Sequence, residues 1–426
     1  MDVLILGSGG REHALGWKVA QSPLVKKLYF APGNAGTSAL GENVKVDVAD
    51  HPALAAFCRE RGISLVVVGP DDLLAAGIVD TLTVAGILVF GPTKAAAEIE
   101  WSKAFAKRLM QEEGIPTAAS ETFSDFRKAL VYMKKHLLPL VIKADGLALG
   151  KGVIIARTQA EAEQALRDLM LEKKLGAAAE QVVIEEYLEG EEISVHALCA
   201  GTDAILFPSS RDHKRIFDDD QGPNTGGMGV IAPVPGVSAA TMKEISAKII
   251  LPALKALARH GRAFSGLLYP GIMLTASGPK VIEFNARFGD PETEAYMRLM
   301  KSDIVPALVA SANSSLKGIT LEWSKESVAS IAIASGGYPG AYEKRKPISG
   351  IEEAERAGAI VFHAGTGRNT EGTPITNGGR VLHVTATGKD LPTALTRAYA
   401  AAKHIFFSGA YYRTDIGTKE VQRSAR

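Results

Sequence analysis

Cysteine is almost missing: Cys58 and Cys199 are the full complement of a 426-residue chain. Two thiols cannot build a disulfide framework, and no Cys/His spacing suits zinc. Both read as small buried hydrophobes. An excess of either charge is missing too, with 48 Lys and Arg against 47 Asp and Glu. That near-cancellation leaves no global field for steering nucleic acid, so any anion site must be local. No uncharged apolar run reaches the ~18 residues needed to span a bilayer. Val3-Leu4-Ile5-Leu6 opens the chain with no basic leader or cleavage site ahead of it. A cytoplasmic, reducing environment is expected, with neither membrane nor nucleic acid as partner. The nine histidines show no close pairing, so none reads as a metal ligand.

What is present is a globular balance: 46% hydrophobic and 22% charged residues, over a length that suggests two to four structural units. Apolar strands at Val3–Leu6, Leu28–Ala31, Leu65–Val68 and Leu88–Phe90 alternate with helical patterns near Glu12–Gln21, Ala53–Arg61 and Leu73–Ala85. Buried strands separated by helices predict a parallel sheet covered on both faces. Ligands then bind beyond the carboxyl ends of the strands, at glycine-rich turns. From about 100 to 325 the pattern is mixed α+β. It has a helix Ser102–Glu113, strands Leu140–Lys143, Val153–Ala156, Val182–Glu186, Ile193–Cys199, Leu267–Met273 and Lys280–Phe284, and a capping box at Thr158 and Glu161. The stretch 328–426 carries glycine-rich turns between short strands.

Several motifs carry chemistry. Gly7-Ser8-Gly9-Gly10-Arg11-Glu12-His13 follows a strand and opens a helix, a setting in which free N–H groups favour an anion. Glu12 stands where a dinucleotide fingerprint needs its third glycine, and no acid closes the second strand, so a NAD-dependent oxidoreductase is disfavoured. A phosphate-bearing substrate is the preferred ligand. The loop Gly146–Gly152 fails the Walker spacing but can close over a triphosphate, with Lys143 and Lys151 beside it. The acidic run from Glu185 to Glu192 reads, taken alone, as a solvated edge. In Val281–Arg287 a period of two puts Glu283, Asn285 and Arg287 on one face. A carboxylate, an amide oxygen and a guanidinium there suit magnesium and phosphate together. Asp212–Arg215 and Gly222–Gly229 are expected to form one long irregular substrate loop.

Together these stretches resemble the glycinamide ribonucleotide synthetase family of ATP-grasp ligases over essentially the whole chain. The carrying residues are Gly9–Ala14, Ala31–Gly36, Ser102–Phe105, Ile142–Ala148, Gly150–Val153, Asp212–Arg215, Gly222–Gly229, Glu283–Pro291 and Asn377–Val381. The resemblance implies a biotin-carboxylase-like α/β and α+β multidomain fold. Its parts are an N-terminal parallel-sheet domain (1–100), an ATP-grasp domain (101–327, with a mobile lid at about 115–190) and a small β-rich C-terminal domain (328–426). It implies ligation of glycine to 5-phosphoribosylamine with ATP and Mg2+ (or Mn2+), and it leaves the oligomeric state open, a monomer being one option. Another ATP-grasp carboxylate–amine ligase of purine synthesis is the alternative, and a non-catalytic nucleotide sensor would need no Glu283-x-Asn285 pair.

Carried over, Lys103, Lys143, Gly150, Lys151, Gly152, Glu185, Glu186, Leu188 and Glu192 bind ATP, with the backbone of Glu186 and Leu188 at adenine and Glu192 at the ribose. Glu283 and Asn285 hold the metal. Arg287, Lys143 and Asp290 are catalytic. Gly9, Gly10, Arg11, Asp71, Asp212, Lys214, Asn224, Thr225, Gly226 and Gly227 bind substrate. Trp101, Asp71 and Arg211 depart from the family pattern.

Overall fold

The computed structural model describes residues 1–146, 152–174, 176 and 180–424. Strands β1 (Asp2–Gly7), β2 (Lys27–Pro32), β3 (Glu42–Asn43), β4 (Leu65–Val68) and β5 (Val89–Phe90) form a parallel sheet in the order β3-β2-β1-β4-β5. Alternate residues of β1 serve different cores. Leu4 and Leu6 pack on one side, and Val3 and Ile5 on the other, as a sheet covered on both faces requires. The helical pattern at 73–85 is two helices, Asp71–Ala76 and Ile78–Val84, because Gly77 turns left-handed with φ 88° between them.

Ser102 caps the helix Lys103–Glu112 by accepting from the Phe105 amide at 3.1 Å. Next come β6 (Ser120–Phe123), β7 (Leu140–Ala144), β8 (Val153–Ala156) and β9 (Val182–Glu186), an antiparallel sheet ordered β6-β9-β7-β8. With helices Phe126–Lys134 and Gln159–Leu166 it encloses a small core of its own. The capping box expected there is only half formed. Thr158 accepts from the Glu161 amide, whereas Glu161 reaches the amide of Arg157 instead of Thr158.

A second sheet holds β10 (Glu191–Ser194), β11 (Ala197–Gly201) and β12 (Asp203–Leu206). The expected strand Ile193–Cys199 is therefore interrupted, at Val195 and His196. The buried His196 ring stacks on Tyr269 at 4.0 Å, and its nitrogens meet the Gly289 amide and the Tyr296 hydroxyl. The expected loop across 212–229 is irregular over only part of its length and is otherwise built from β13 (Arg211–Asp212), a hairpin of β14 (Arg215–Phe217) and β15 (Gln221–Asn224), then β16 (Gly229–Ala232). Strands β17 (Phe264–Thr275) and β18 (Gly278–Asn285) complete the second sheet, in which β10 and β11 lie along β17.

The remaining strands are β19 (Ser327–Ser335), β20 (Ile360–His363), β21 (Thr366–Arg368), β22 (Pro374–Thr376), β23 (Arg380–Gly388) and β24 (Ala410–Tyr411). The last large sheet runs β13-β16-β19-β23-β20, with β24 also on β19. It thus takes two strands from upstream of residue 233, and the helix Leu391–Ala402 covers it. No helix among the described residues is long and apolar enough to cross a membrane.

Candidate active site

A cleft of about 1000 Å3 lies where these sheets converge. At its wall three charged side chains are buried together. Lys143, on β7, places its ammonium 3.1 Å from Glu185 on β9, and Lys107 stands 3.3 Å from the other Glu185 oxygen. Lys143 also donates to the Ile282 carbonyl at 2.9 Å. That carbonyl is available because β18 bulges at Ile282: Gly271 faces Glu283, whereas Ile272 already faces Val281. Burial, with Lys143 nearby, pulls Lys107 down to about 8 against the support of Glu185. Lys103 donates to the Gly146 carbonyl at 3.2 Å, and Asp145 accepts from the Ala104 amide at 2.7 Å. The root of the glycine loop is therefore tied to the helix Lys103–Glu112.

Glu283 and Asn285 emerge at the end of β18, beyond the bulge. The simple period-two alternation does not extend to Arg287, which lies past the strand. Burial raises the Glu283 carboxyl, but Lys214, Lys143, Lys103 and Arg287 outweigh it and keep the group below its ordinary range. Asn285 donates to the Tyr269 carbonyl and accepts from Arg287 at 3.2 Å. Arg287 is held by Glu100 at 3.2 Å, and Glu100 accepts from the Ala286 amide at 2.8 Å. Glu192 pairs with Lys214, which stands 3.9 Å from Glu283. Glu186, Leu188 and Gly152 line the same cleft.

Arg11, Asp71, Asp212, Asn224, Thr225 and Gly226 line the cleft as well. Burial and the neighbouring Glu292 push the Asp212 carboxyl well above its ordinary range, against Lys214 and Arg380. Glu292 accepts from Tyr269 at 2.6 Å and from Ser194 at 3.1 Å. Gly227 adopts φ 116°, and a Cβ there would overlap Asp212, so glycine allows this approach. Arg380 donates to the carbonyls of Gly226 at 2.6 Å and Asp290 at 2.7 Å, and its guanidinium pairs with the Asp290 carboxylate at 3.0 Å. Asp290 also accepts from the Arg11 amide at 3.3 Å. Arg380, His383 and Arg11 hold its carboxyl low despite its burial.

Two of the expected ligand positions make contacts within the chain. The Gly9 amide is taken by Glu12 Oε2 at 2.5 Å, and Gly10 is buried against Glu294 and His383. The turn therefore presents Arg11 to the cleft, and the amide expected to meet a phosphate is satisfied by the chain itself. Gly150 and Lys151 lie outside the described residues.

The departures have local explanations. Trp101 ends the helix Lys94–Trp101 and packs on a hydrophobic core. Asp71 heads the helix Asp71–Ala76 at the cleft wall. Arg211 ties Glu191, the Glu192 carbonyl and Glu420 together, anchoring the C-terminal helix Thr418–Ser424. Sequence reading missed Glu100, Lys107, Glu292 and Arg380. Lys107 is four residues from Lys103 on one helix, Glu292 directly follows a stretch already singled out and Arg380 sits inside another, so those three carried a faint signal. Glu100 carried none. His383 was missed as well: the fold sets it beside Asp290 and Glu294, a cluster that spacing along the chain does not reveal.

Comparison with known proteins agrees with this geometry. Residues 1–100, 101–293 and 328–419 match the family models for the N domain, the ATP-grasp (A) domain and the C domain of phosphoribosylglycinamide synthetase. The phosphoribosylamine–glycine ligase of Mesorhizobium japonicum is 48% identical over 423 residues, 99% of each chain. That of Vibrio vulnificus is 46% identical over 426 residues, again 99% of each. The crystal structure of the Thermotoga maritima phosphoribosylamine–glycine ligase superposes with a TM-score of 0.85 at 36% identity, covering 97% of this chain and 100% of that one. The biotin carboxylase domain of Hydrogenobacter thermophilus 2-oxoglutarate carboxylase shares the fold, with a TM-score of 0.73 at 18% identity over 96% of this chain and 91% of that one. Full-length identity of this order, with all three domain models matched, shows that the chain belongs to the phosphoribosylamine–glycine ligase family of ATP-grasp enzymes.

Proposed function

We propose that the cleft ligates glycine to 5-phosphoribosylamine through glycyl phosphate, releasing ADP and phosphate and giving glycinamide ribonucleotide for purine synthesis. The observation that carries this reading is one cleft lined by Lys103, Lys143 and the Glu283–Asn285 pair together with Arg11, Asp71, Asp212 and the glycine-rich turn. The proposed division is 1–100, 101–327 with a lid at about 115–190, and 328–426.

A carboxylate does not acylate an amine at neutral pH, because its leaving group is poor. Transfer of the γ-phosphoryl group of ATP to glycine supplies a good one. Positive charge fixed in advance must meet the phosphoryl oxygens as charge spreads over them. Lys143 is suited to this, because Glu185 and the Ile282 carbonyl hold its ammonium in place. Arg287, braced by Glu100, adds a second cation. Lys103 reaches the same region, and Glu186, Leu188 and Glu192 border the place assigned to the nucleoside. Magnesium or manganese fits Glu283 and Asn285, both hard oxygen donors, one of them kept anionic by its cationic neighbours. When bound it neutralises phosphate charge. Asp212 and Glu292 set two carboxyl groups close together, which suits the amino end of glycine. Arg11, Asp71, Asn224, Thr225 and Gly226 suit the sugar phosphate, with Asp290 and Arg380 positioning Arg11 and the turn. A cytoplasmic location fits an ATP-using chain whose two cysteines are free.

The test is phosphate release measured with each substrate left out in turn. Release should require both glycine and phosphoribosylamine. Full release with bicarbonate or formate in place of glycine would favour a carboxylating or formylating relative and refute this reading.

A further inference from the structure

Asp290, Glu294 and His383 meet away from the carboxylate–amide pair, where three stretches of chain converge. Glu294 lies on the helix Glu292–Leu299, His383 on β23, and Asp290 on the turn before that helix. His383 Nε2 is 3.5 Å from Asp290 Oδ1 and 3.6 Å from Glu294 Oε1, and the side chains of His383 and Glu294 are 0% exposed. The three atoms lie within 4.8 Å of one another. Apart from Glu294's own amide, neither oxygen of Glu294 and neither ring nitrogen of His383 has a hydrogen-bond partner among the described residues. Leaving such a buried group unmet costs about 1–3 kcal/mol, more if it is charged. Two of these orphaned atoms, Glu294 Oε1 and His383 Nε2, face each other beside Asp290 Oδ1 and point to a missing partner.

The charges say what kind of partner is missing. Arg380 matches Asp290 at 3.0 Å. Glu294 has no comparable match: burial and then Asp290 push its carboxyl well above the ordinary range against the more distant Arg380, and burial holds the His383 ring down to about 4, hence neutral. The cluster is one cation short whenever Glu294 is ionised.

We propose that Asp290, Glu294 and His383 bind a zinc-class divalent ion, at a site that shares no residue with the Glu283–Asn285 pair. One imidazole nitrogen with two carboxylate oxygens suits a first-row ion such as zinc, whereas magnesium prefers oxygen alone. In a tetrahedral zinc site with bonds of ~2.0–2.1 Å, ligand atoms stand ~3.3–3.4 Å apart, close to the 3.5 and 3.6 Å seen here. A neutral imidazole also gives up no proton to the metal. Gly10 leaves the room, since a Cβ there would overlap Glu294 Oε1 and the His383 ring. The ion ties β23 to the helix Glu292–Leu299, and so fixes Arg380 against Asp290; its role is structural. The inference does not depend on the identity of the substrates.

The test uses the full untagged chain, equilibrated with zinc chloride, gel-filtered, and assayed by mass spectrometry for metal. About one zinc per chain is expected, with visible d–d absorption when cobalt(II) replaces it. His383→Gln and Glu294→Gln should each weaken cobalt binding at least ~10-fold, with far-ultraviolet circular dichroism unchanged. Should His383→Gln fail to fold, the near-isosteric Glu294→Gln gives the same reading. A wild-type chain without stoichiometric zinc overturns the proposal and leaves a proton as the missing cation. Zinc retained in full by a folded variant overturns it as well, since the ion then sits elsewhere.

Discussion

Glu185→Gln is the sharpest perturbation of the buried charges. The carboxylate lies 3.1 Å from Lys143 and 3.3 Å from Lys107, and all three side chains are under 5% exposed. Removing one partner of a buried pair typically costs about 3–5 kcal/mol, because the remaining charge is left uncompensated. Here two ammonium groups are left. Lys107 already sits at about 8, below its ordinary value of 10.5, and Glu185 is the largest influence holding it up. Without Glu185 it falls further, and each further unit is worth about 1.4 kcal/mol.

The sign follows from proton linkage. A lysine with a folded pKa below its unfolded one binds fewer protons when folded, so stability rises with pH through that window. The penalty is full below the folded pKa and fades above it. In the variant it is larger at low pH and starts to fade earlier. The stability deficit against wild type should therefore be greatest near pH 6 and narrow by about 2 kcal/mol near pH 9. Urea unfolding followed by tryptophan fluorescence at both pH values measures it. The KM for ATP should rise about 10-fold as Lys143 loses its orienting partner. A deficit of equal size at both pH values, or none, would refute the reasoning.

Glu283→Gln should lower turnover by roughly 100-fold or more while the urea midpoint stays within error of wild type; normal turnover at ordinary magnesium would remove Glu283 from the metal site. Arg380→Ala strips contacts to Gly226, Gly227 and Asp290 and should cost about 2–4 kcal/mol. Steady-state kinetics should show a raised KM for phosphoribosylamine and an unchanged KM for ATP. Gly227→Ala places a Cβ against Asp212 at a φ of 116° and should cost about 1–3 kcal/mol, read as a lower thermal midpoint with weaker glycine saturation.

The parallel N-terminal sheet was legible because runs such as Leu65-Val66-Val67-Val68 have few other places to go than a sheet covered on both faces. Ser102 announced its helix, and Glu283 with Asn285 announced an oxygen-rich strand end. The bulge at Ile282 was not legible, since nothing in the residue order distinguishes it from a regular strand. Nor were the partners that complete the site. Lys143 meets the carbonyl of a residue 139 positions away, and Arg380 meets Gly226 across 154. Contacts of that range are set by how whole sheets stack, and local periodicity carries no trace of them. Glycine density at 222–229 suggested irregular backbone, yet the hairpin there uses Gly222 with φ 78° inside β15 and leaves Gly227 to admit Asp212.

The sheet that joins β13 and β16 to β19 has a practical consequence for anyone shortening this chain. Gly229–Ala232 is buried along its length and pairs residue for residue with Val328–Ile331. A chain stopped before β19 would lose that neighbour and expose a row of unsatisfied amides and carbonyls flanked by Val230 and Ile231. Such an edge recruits strands from other molecules. Expression of the first three-quarters alone should yield aggregate, and an added partner domain would be better placed after Arg426 than at the apparent seam near 328.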